Sequence, residues 1–106
     1  MEEYLPKVYT QFTQRYPQIT SAQGQLAAAV DEASPFDERT TRLLKLALAI
    51  GAEADGAVRS NVRKGLEHGV TEDELRAVAL LAITTCGFPT AIAGFGWIDD
   101  VVKGGG

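Results

Sequence analysis

The sequence predicts an all-α protein, a bundle of about six helices, and three observations support this fold class. Prolines, glycines and capping residues divide the 106-residue chain into segments of helical length. Within these segments apolar residues recur three and four positions apart, which marks one face of a helix. β-branched residues are scattered, and no Asn-Gly or Asp-Gly pair indicates a hairpin. We therefore expect one helical domain over residues 1–106.

Two helices are predicted before residue 35. The first runs from about Glu3 to Tyr16, because its apolar residues share one face: Leu5, Val8, Tyr9, Phe12 and Tyr16. Pro17 is expected to end this helix, since the residue before a proline disfavours the helical conformation. The second runs from about Thr20 to Ala33 and carries a smaller apolar face, formed by Leu26, Ala29, Val30 and Ala33.

The third predicted helix follows Ser34-Pro35, with Asp37 as its N-cap. Its residues from 43 to 50 are apolar almost all round, so we expect it to be buried on most sides. The only charge in this run is Lys45. Gly51 is expected to end the helix.

Capping signals define the last three helices. The fourth is predicted from about Asp55 to Glu67, with Gly69 just past its end, where glycine is favoured. Thr71-Glu72-Asp73-Glu74 matches the capping box and predicts the start of a fifth helix. That helix is expected to end near Gly87, and Pro89 is suited to the first turn of the sixth.

Composition excludes several classes of function. The net charge is −4 and no basic stripe is present, so a nucleic-acid partner is not expected. No apolar run is long enough to span a membrane, and the acidic Met1-Glu2-Glu3 start does not fit a signal peptide. A single cysteine indicates a reducing, cytoplasmic location. One histidine and one cysteine do not make a conventional zinc site, and no metal or organic cofactor is expected.

The region from Leu43 to Val102 resembles a known family. Its features are the apolar helix, the turn Gly69-Val-Thr-Glu-Asp-Glu-Leu75, and the turn Gly87-Phe-Pro89 after the next apolar helix. This pattern is similar to the core of the carboxymuconolactone decarboxylase and AhpD-like family, over about residues 37–102. The resemblance implies an all-helical, obligate homo-oligomer, a trimer or a hexamer.

The chain departs from the family at the catalytic positions. AhpD-like peroxidases carry Cys-x-x-Cys, a histidine four residues later and a glutamate upstream. The matching residues here are Ala54, Ala57, Asn61 and, for the glutamate, Arg42. Alanine provides no thiolate, so AhpD-type peroxidase activity is predicted to be absent. The decarboxylase branch keeps a histidine where this chain has Asn61, and asparagine takes up no proton near neutral pH.

The residues around Asn61 are candidates for a site. Ala54 and Ala57 lie near Asn61 on one face of the predicted fourth helix, and they leave room for a ligand or allow close helix packing. Glu53 and Asp55 are a candidate acid–base pair, or acids that favour a helix N-terminus.

Three further side chains have two readings each. Arg59, with Arg63 one turn later, is suited to holding a carboxylate, or to forming a solvated face or inter-subunit ion pairs. Lys45 is interpreted either as a desolvated base or nucleophile, or as a side chain that is paired with an acid or extends to the surface. Cys86 is a reactive thiol at a helix end or a small buried hydrophobe.

Three functional hypotheses follow. The first is a decarboxylase-like lyase acting on a lactone or carboxylated substrate, with Glu53, Asn61 and Lys45 as catalytic residues. Its small anionic substrate would be bound by Arg59, Ala54, Ala57 and Cys86. The second is a non-catalytic homo-oligomer that binds a ligand or a partner. The third is a peroxidase that uses Cys86 alone.

Overall fold

The computed structural model describes residues 7–104, and these residues are all-helical, as predicted. In chain order the helices are α1 (Lys7–Arg15), α2 (Pro17–Ala33), α3 (Glu38–Gly51), α4 (Asp55–Glu67), α5 (Glu72–Thr85) and α6 (Phe88–Val102). None of these helices is both long and apolar enough to cross a membrane. The described residues divide into two compact units, 7–35 and 36–104.

The first unit consists of α1 and α2, which contact each other. Tyr16 separates them with φ −130° and ψ 65°, and Pro17 is the first residue of α2. The second helix therefore starts earlier than the predicted Thr20, because a proline in the first turn leaves no hydrogen bond unmade. The predicted start of the first helix at Glu3 lies outside the described residues.

The second unit begins with the predicted cap of α3. The Asp37 Oδ1 atom accepts a 2.7 Å hydrogen bond from the Thr40 backbone N–H. The bonds from Thr40 hold the pKa of Asp37 below its ordinary value, because they stabilise the ionised carboxylate. Asp37 is confirmed as the N-cap.

The helix α3 ends at Gly51, as predicted. Gly51 is the last helical residue, and the left-handed residue that stops the chain is Glu53, with φ 56°. The Ala54 N–H bonds to the Ala49 carbonyl, and the Glu53 N–H bonds to the Ile50 carbonyl, both at 2.9 Å. This is the Schellman arrangement, which normally has glycine at the left-handed position. Glutamate there is strained by roughly 1 kcal/mol relative to glycine.

The turns between α4 and α6 follow the sequence signals closely. α4 spans Asp55–Glu67 as predicted, and Gly69 has the left-handed φ of 85°. The Thr71 hydroxyl accepts from the Glu74 N–H at 3.1 Å, and the Glu74 carboxylate accepts from the Thr71 N–H at 2.9 Å. The predicted capping box is confirmed. Gly87, with φ 103°, precedes α6.

The core of the second unit is assembled from α3 to α6 and the α4–α5 turn. Its fully buried large side chains are Leu46, Ile50, Val58, Val62, Leu75 and Ile98. α6 approaches α3 closely at Gly94, which is buried. A Cβ at this position would lie 3.0 Å from the Ile50 Cγ2 atom and 3.1 Å from its Cγ1 atom. The absence of a side chain at Gly94 therefore sets the spacing between the two helices.

One side of α3 is not covered. Leu46 and Ile50 are fully buried, whereas Leu44 is 42% exposed and Leu48 is 73% exposed. The expectation that this helix is buried on most sides is wrong for the single chain. Its neighbours α4, α5 and α6 pack against it and leave an apolar face open.

Replacing Gly94 by alanine should destabilise the fold. We expect Gly94→Ala to lower the free energy of unfolding by about 1–3 kcal/mol, because Ile50 has to move to admit the methyl group. Gly96→Ala in the same helix is the matched control, since nothing lies within 4 Å of its added Cβ. That change should raise stability by roughly 0.5–1 kcal/mol through helix propensity. Urea unfolding of both variants tests this, and equal effects would contradict it.

Acidic pH should remove the contribution of the ionised Glu74 carboxylate to the stability of the fold. Its pKa is lowered from the ordinary 4.5, first by the hydrogen bond from Arg39 and next by that from the Thr71 N–H. A carboxyl with a lowered folded-state pKa stabilises the fold above its unfolded pKa, and this contribution is lost as the pH falls through the folded value. The melting temperature of Glu74→Gln should therefore lie below that of the wild type near pH 7.

The difference in melting temperature between wild type and Glu74→Gln should shrink steadily below pH 4.5. Glu67→Gln is the control, because the Glu67 carboxylate takes part in neither of these two bonds. A difference that does not change between pH 7 and pH 3 would rule out the ionised carboxylate as its source.

Candidate functional site

Asn61 and Arg42 meet in the interior between α3 and α4. The Arg42 Nη1 atom donates a 3.1 Å hydrogen bond to the Asn61 Oδ1 atom. The Asn61 Nδ2 atom in turn donates to the Ala57 carbonyl at 2.9 Å. Arg42 is 5% exposed and Asn61 is 9% exposed. Both ends of the Asn61 amide are therefore engaged within the protein.

Arg42 connects this buried amide to the surface. Its Nε atom lies 2.9 Å from the Glu38 Oε2 atom, one turn earlier on α3, which makes an ion pair although the two atoms are not aligned as a hydrogen bond. Glu38 Oε2 also lies 3.7 Å from the His68 Nε2 atom. The result is a polar network in which the arginine charge is compensated by an exposed carboxylate and a buried amide oxygen.

The two alanines of the candidate site occupy the start of α4. Ala54 is the N-cap residue and is half-buried, while Ala57 is exposed and offers its carbonyl to Asn61. The Asn61 side chain is therefore bonded to the backbone of Ala57, one turn earlier on α4. The small size of the two alanines leaves this part of α4 with little side-chain cover.

Arg59 is held by two carboxylates. Its Nε atom lies 2.6 Å from Asp55 Oδ1, and its Nη2 atom lies 3.0 Å from Asp100 Oδ2 on α6. The hydrogen bond that Arg59 donates to Asp55 is the main reason that the pKa of Arg59 is raised. Arg63, one turn later, has a buried Nη1 atom with no hydrogen-bond acceptor among residues 7–104. Of the two arginines that were predicted to bind an anion, Arg63 is therefore the one with a buried N–H donor that lacks an acceptor in the described residues.

Glu53 and Asp55 have different partners. The Glu53 Oε2 atom accepts a 2.6 Å hydrogen bond from the Thr90 hydroxyl at the start of α6, and Asp55 binds Arg59. Glu53 is exposed and holds the strained left-handed turn. The hydrogen bond to Thr90 ties the α3–α4 turn to the beginning of α6.

An apolar pocket of about 380 Å³ lies between α3 and α5, away from the α4 face that carries Asn61. Its lining is Leu43, Leu44, Ala47, Glu74, Ala77, Val78, Leu81, Ala82, Thr85 and Cys86. Cys86 is exposed, and its Sγ atom lies 3.6 Å from the Thr85 hydroxyl. Lys45 is half-buried on α3 and does not line this pocket. In the described part of the chain, no cluster of three His, Cys, Asp or Glu side chains is arranged to hold a metal ion.

Sequence reasoning missed three partners of the site residues, one of which is Thr90, the partner of Glu53. Arg42 was recognised only as a replacement for a family glutamate, and Asp100 was not recognised at all. The Glu38/Arg42 spacing of four along the helix is a visible signal for one ion pair. The hydrogen bond from Arg59 to Asp100 joins residues on different helices, and no local sequence pattern indicates it.

These features describe the class of protein: an all-helical chain with a buried Arg–Asn pair between α3 and α4 and a separate apolar pocket between α3 and α5. The model of the carboxymuconolactone decarboxylase family matches residues 17–100, and the chain belongs to this family. The matched span begins earlier than the core of about 37–102 that the motifs indicated. No curated protein matches the chain.

The bond between Arg42 and Asn61 should be measurable in a double-mutant cycle. Asn61→Ala leaves a buried guanidinium N–H without its acceptor, so we expect a loss of about 1–3 kcal/mol in the free energy of unfolding. The same change made together with Arg42→Met should cost less than the two single changes added together. Glu38→Gln is the comparison, and its exposed ion pair should contribute less than about 1 kcal/mol. Strictly additive effects at positions 42 and 61 would show that the bond contributes nothing.

Proposed function

We propose that this chain is a non-catalytic, ligand-binding and self-associating member of the carboxymuconolactone decarboxylase family. The observation that carries the proposal is the hydrogen bond between Arg42 and Asn61. The resemblance puts these residues where the family has its proton-relay glutamate and its histidine. A buried arginine and an asparagine are both unsuited to exchanging protons near neutral pH.

The ligand site that we propose is the apolar pocket between α3 and α5. Its lining is almost entirely aliphatic, and a pocket of about 380 Å³ accommodates a small organic molecule. The Glu74 carboxylate forms an ion pair with Arg39 and accepts a hydrogen bond within the capping box, so it adds little unpaired negative charge to the lining of the pocket. Cys86 and Thr85 supply the remaining polar atoms at one end. Uncharged apolar compounds therefore suit the pocket better than diacids.

Self-association is part of the same proposal. Leu48, Leu80 and Leu81 are 73%, 56% and 68% exposed on α3 and α5. Large exposed apolar patches on a small protein commonly mark an interface, and we propose that these three leucines belong to one. The trimer or hexamer implied by the family resemblance remains a prediction, as does the cytoplasmic location inferred from the cysteine count.

A second candidate is the enzyme hypothesis, a lyase acting on a lactone or carboxylated substrate. Two observations favour it. The Glu53 carboxylate is exposed on a strained turn, and strained turns are common at functional sites. The buried Nη1 atom of Arg63 has no acceptor in the described residues and would suit an anionic group.

A thermal-shift screen of the assembled protein should separate the two candidates. We expect quinones and other uncharged apolar compounds to raise the melting temperature by several degrees, since a ligand at about 100 times its dissociation constant adds roughly 2.7 kcal/mol. Ala47→Phe, which fills the pocket, should abolish the shift. Ala52→Phe is the matched control, because Ala52 is exposed at the end of the same helix and lines neither the pocket nor the proposed association surface. A shift that Ala47→Phe retains would contradict the proposed site.

The screen also contains muconate-type diacids and lactones. Stabilisation by a diacid that is lost in Arg63→Gln would favour the anionic ligand of the second candidate. Turnover of a lactone by the wild type, abolished by Glu53→Gln, would replace the non-catalytic proposal by the enzyme. Turnover of a hydroperoxide that requires Cys86 would instead favour the single-cysteine peroxidase.

A further inference from the structure

The apolar pocket between α3 and α5 is long and narrow. On α5 its lining residues recur three and four positions apart, from the first turn of the helix to the last: Glu74, Ala77, Val78, Leu81, Ala82 and Thr85. At a rise of about 1.5 Å per residue, the stretch from Glu74 to Thr85 is roughly 16 Å long. A volume of about 380 Å³ spread over this length corresponds to a mean cross-section of roughly 23 Å².

These dimensions match a single extended hydrocarbon chain. Apolar carbon atoms pack about 4.0–4.5 Å apart, so one chain occupies a cross-section of roughly 20 Å². An extended chain advances roughly 1.3 Å per carbon, because its C–C bonds of about 1.5 Å run in a zigzag. About 12 carbons therefore span the pocket, whereas a compact ring of the same carbon number fills only part of its length.

Polar side chains lie only at the two ends of the pocket. At one end the Glu74 carboxylate is engaged by Arg39 and by the Thr71 N–H. At the other end are Thr85 and Cys86, and the lining between the two ends is leucine, alanine and valine. A polar group in the middle of a ligand would lose its water without gaining a side-chain partner. The pocket therefore favours a ligand whose polar group is at the end of its chain.

The Thr85 end offers a hydrogen-bond acceptor. The Thr85 hydroxyl donates its proton to the Leu81 carbonyl at 3.0 Å, so its oxygen is left to accept from a ligand. The Cys86 Sγ atom lies 3.6 Å from this oxygen and is only a weak partner. A Cβ on Gly51 would lie 3.6 Å from the same Sγ atom, so the end of α3 is beside the thiol. A head group that donates a proton suits this end better than a carboxylate or an ether.

We propose that the pocket binds a linear primary alcohol, with its hydroxyl at Thr85 and its chain extended along α5 towards Glu74. This inference rests on the proposed function and specifies the class of its apolar ligand. A fatty acid of the same length fits less well, because its carboxylate needs donors that the Thr85 oxygen does not supply.

The first test is a calorimetric titration of the full chain with 1-hexanol, 1-octanol, 1-decanol and 1-dodecanol. The affinity should rise up to about fourfold for each added methylene, which corresponds to about 0.8 kcal/mol per buried group. Decanoate at pH 7.5 should bind about tenfold more weakly than 1-decanol, or less well still. An affinity that does not depend on chain length, or decanoate that binds as tightly as 1-decanol, would overturn the proposal.

The direction of the chain is tested by narrowing the end of the pocket beside Glu74. Ala77→Leu should weaken the binding of 1-dodecanol about tenfold or more, because the added side chain displaces several methylenes. The same change should leave the binding of 1-hexanol unaltered, since the shorter chain occupies only the half next to Thr85. Ala52→Leu is the matched control, because Ala52 is exposed and outside the lining. Equal losses for the two alcohols in Ala77→Leu would contradict this orientation.

The head group is tested at Thr85. Thr85→Val keeps the shape of the side chain and removes the acceptor, so it should lower the affinity for 1-decanol about two- to tenfold. Thr85→Ser should restore the affinity, because it keeps the hydroxyl. Binding of 1-decanol that is the same in wild type and Thr85→Val would rule out the proposed head-group contact.

The results separate this inference from the proposed function. If quinones raise the melting temperature and Ala47→Phe abolishes that shift, but no linear alcohol binds, the chain-shaped ligand is wrong and the ligand site stands. If neither class of compound binds, both proposals fail. Leu44 and Leu81 are 42% and 68% exposed, so a second copy is the alternative occupant of the pocket. Light scattering should give the same mass with and without saturating 1-decanol, and a mass that falls on addition of the alcohol would overturn the proposal in favour of the second copy.

Discussion

The α3 helix carries more apolar side chains than its three neighbours in the second unit can cover. Its inner side supplies Leu46 and Ile50 to the core, and its outer side leaves Leu44 and Leu48 in contact with solvent. The helix cannot be turned to hide the outer side, because the Gly94 contact holds Ile50 against α6. The pocket between α3 and α5 lies at this outer side, which contributes Leu44 and Ala47 to its lining. A small subunit with such a surface gains stability by covering it with a ligand or another copy.

The two units of the chain differ in how much apolar surface they bury. Residues 36–104 have a complete core of aliphatic side chains and one uncovered face. Residues 7–35 have helices without a core. The free energy that holds α1 and α2 in their helical form has to come from contacts beyond these two helices, since about 1–2 kcal/mol of backbone entropy is lost for each ordered residue.

The sequence predicted most helix boundaries, because they depend on local chemistry. The α5 start is determined by Thr71 and Glu74, and the end of α4 by Gly69, so a few adjacent residues contain the whole signal. The end of α3 at Gly51 was also predicted, but no sequence signal indicated that Glu53 occupies the left-handed position that usually belongs to glycine. The site was harder to predict than the fold. Arg59 was expected to bind substrate, but it donates a hydrogen bond to Asp100 on another helix. Such a pairing depends on how the helices pack, and the spacing of residues along the sequence does not indicate it.

The Arg42–Asn61 bond makes the two positions depend on each other. A histidine placed at position 61 alone would lie beside a buried guanidinium, which disfavours the protonated imidazole through like-charge repulsion. The substitution would also remove the amide oxygen that accepts the hydrogen bond from Arg42, and it would leave a buried N–H without an acceptor. A glutamate placed at position 42 alone would be a buried carboxylate facing a neutral amide, with its former partner Glu38 one turn away. Each single change towards the family's catalytic pattern thus carries a stability cost. Only a chain with both positions changed together would have a histidine and a carboxylate in contact, and for this reason a single Asn61→His substitution is not expected to restore proton transfer.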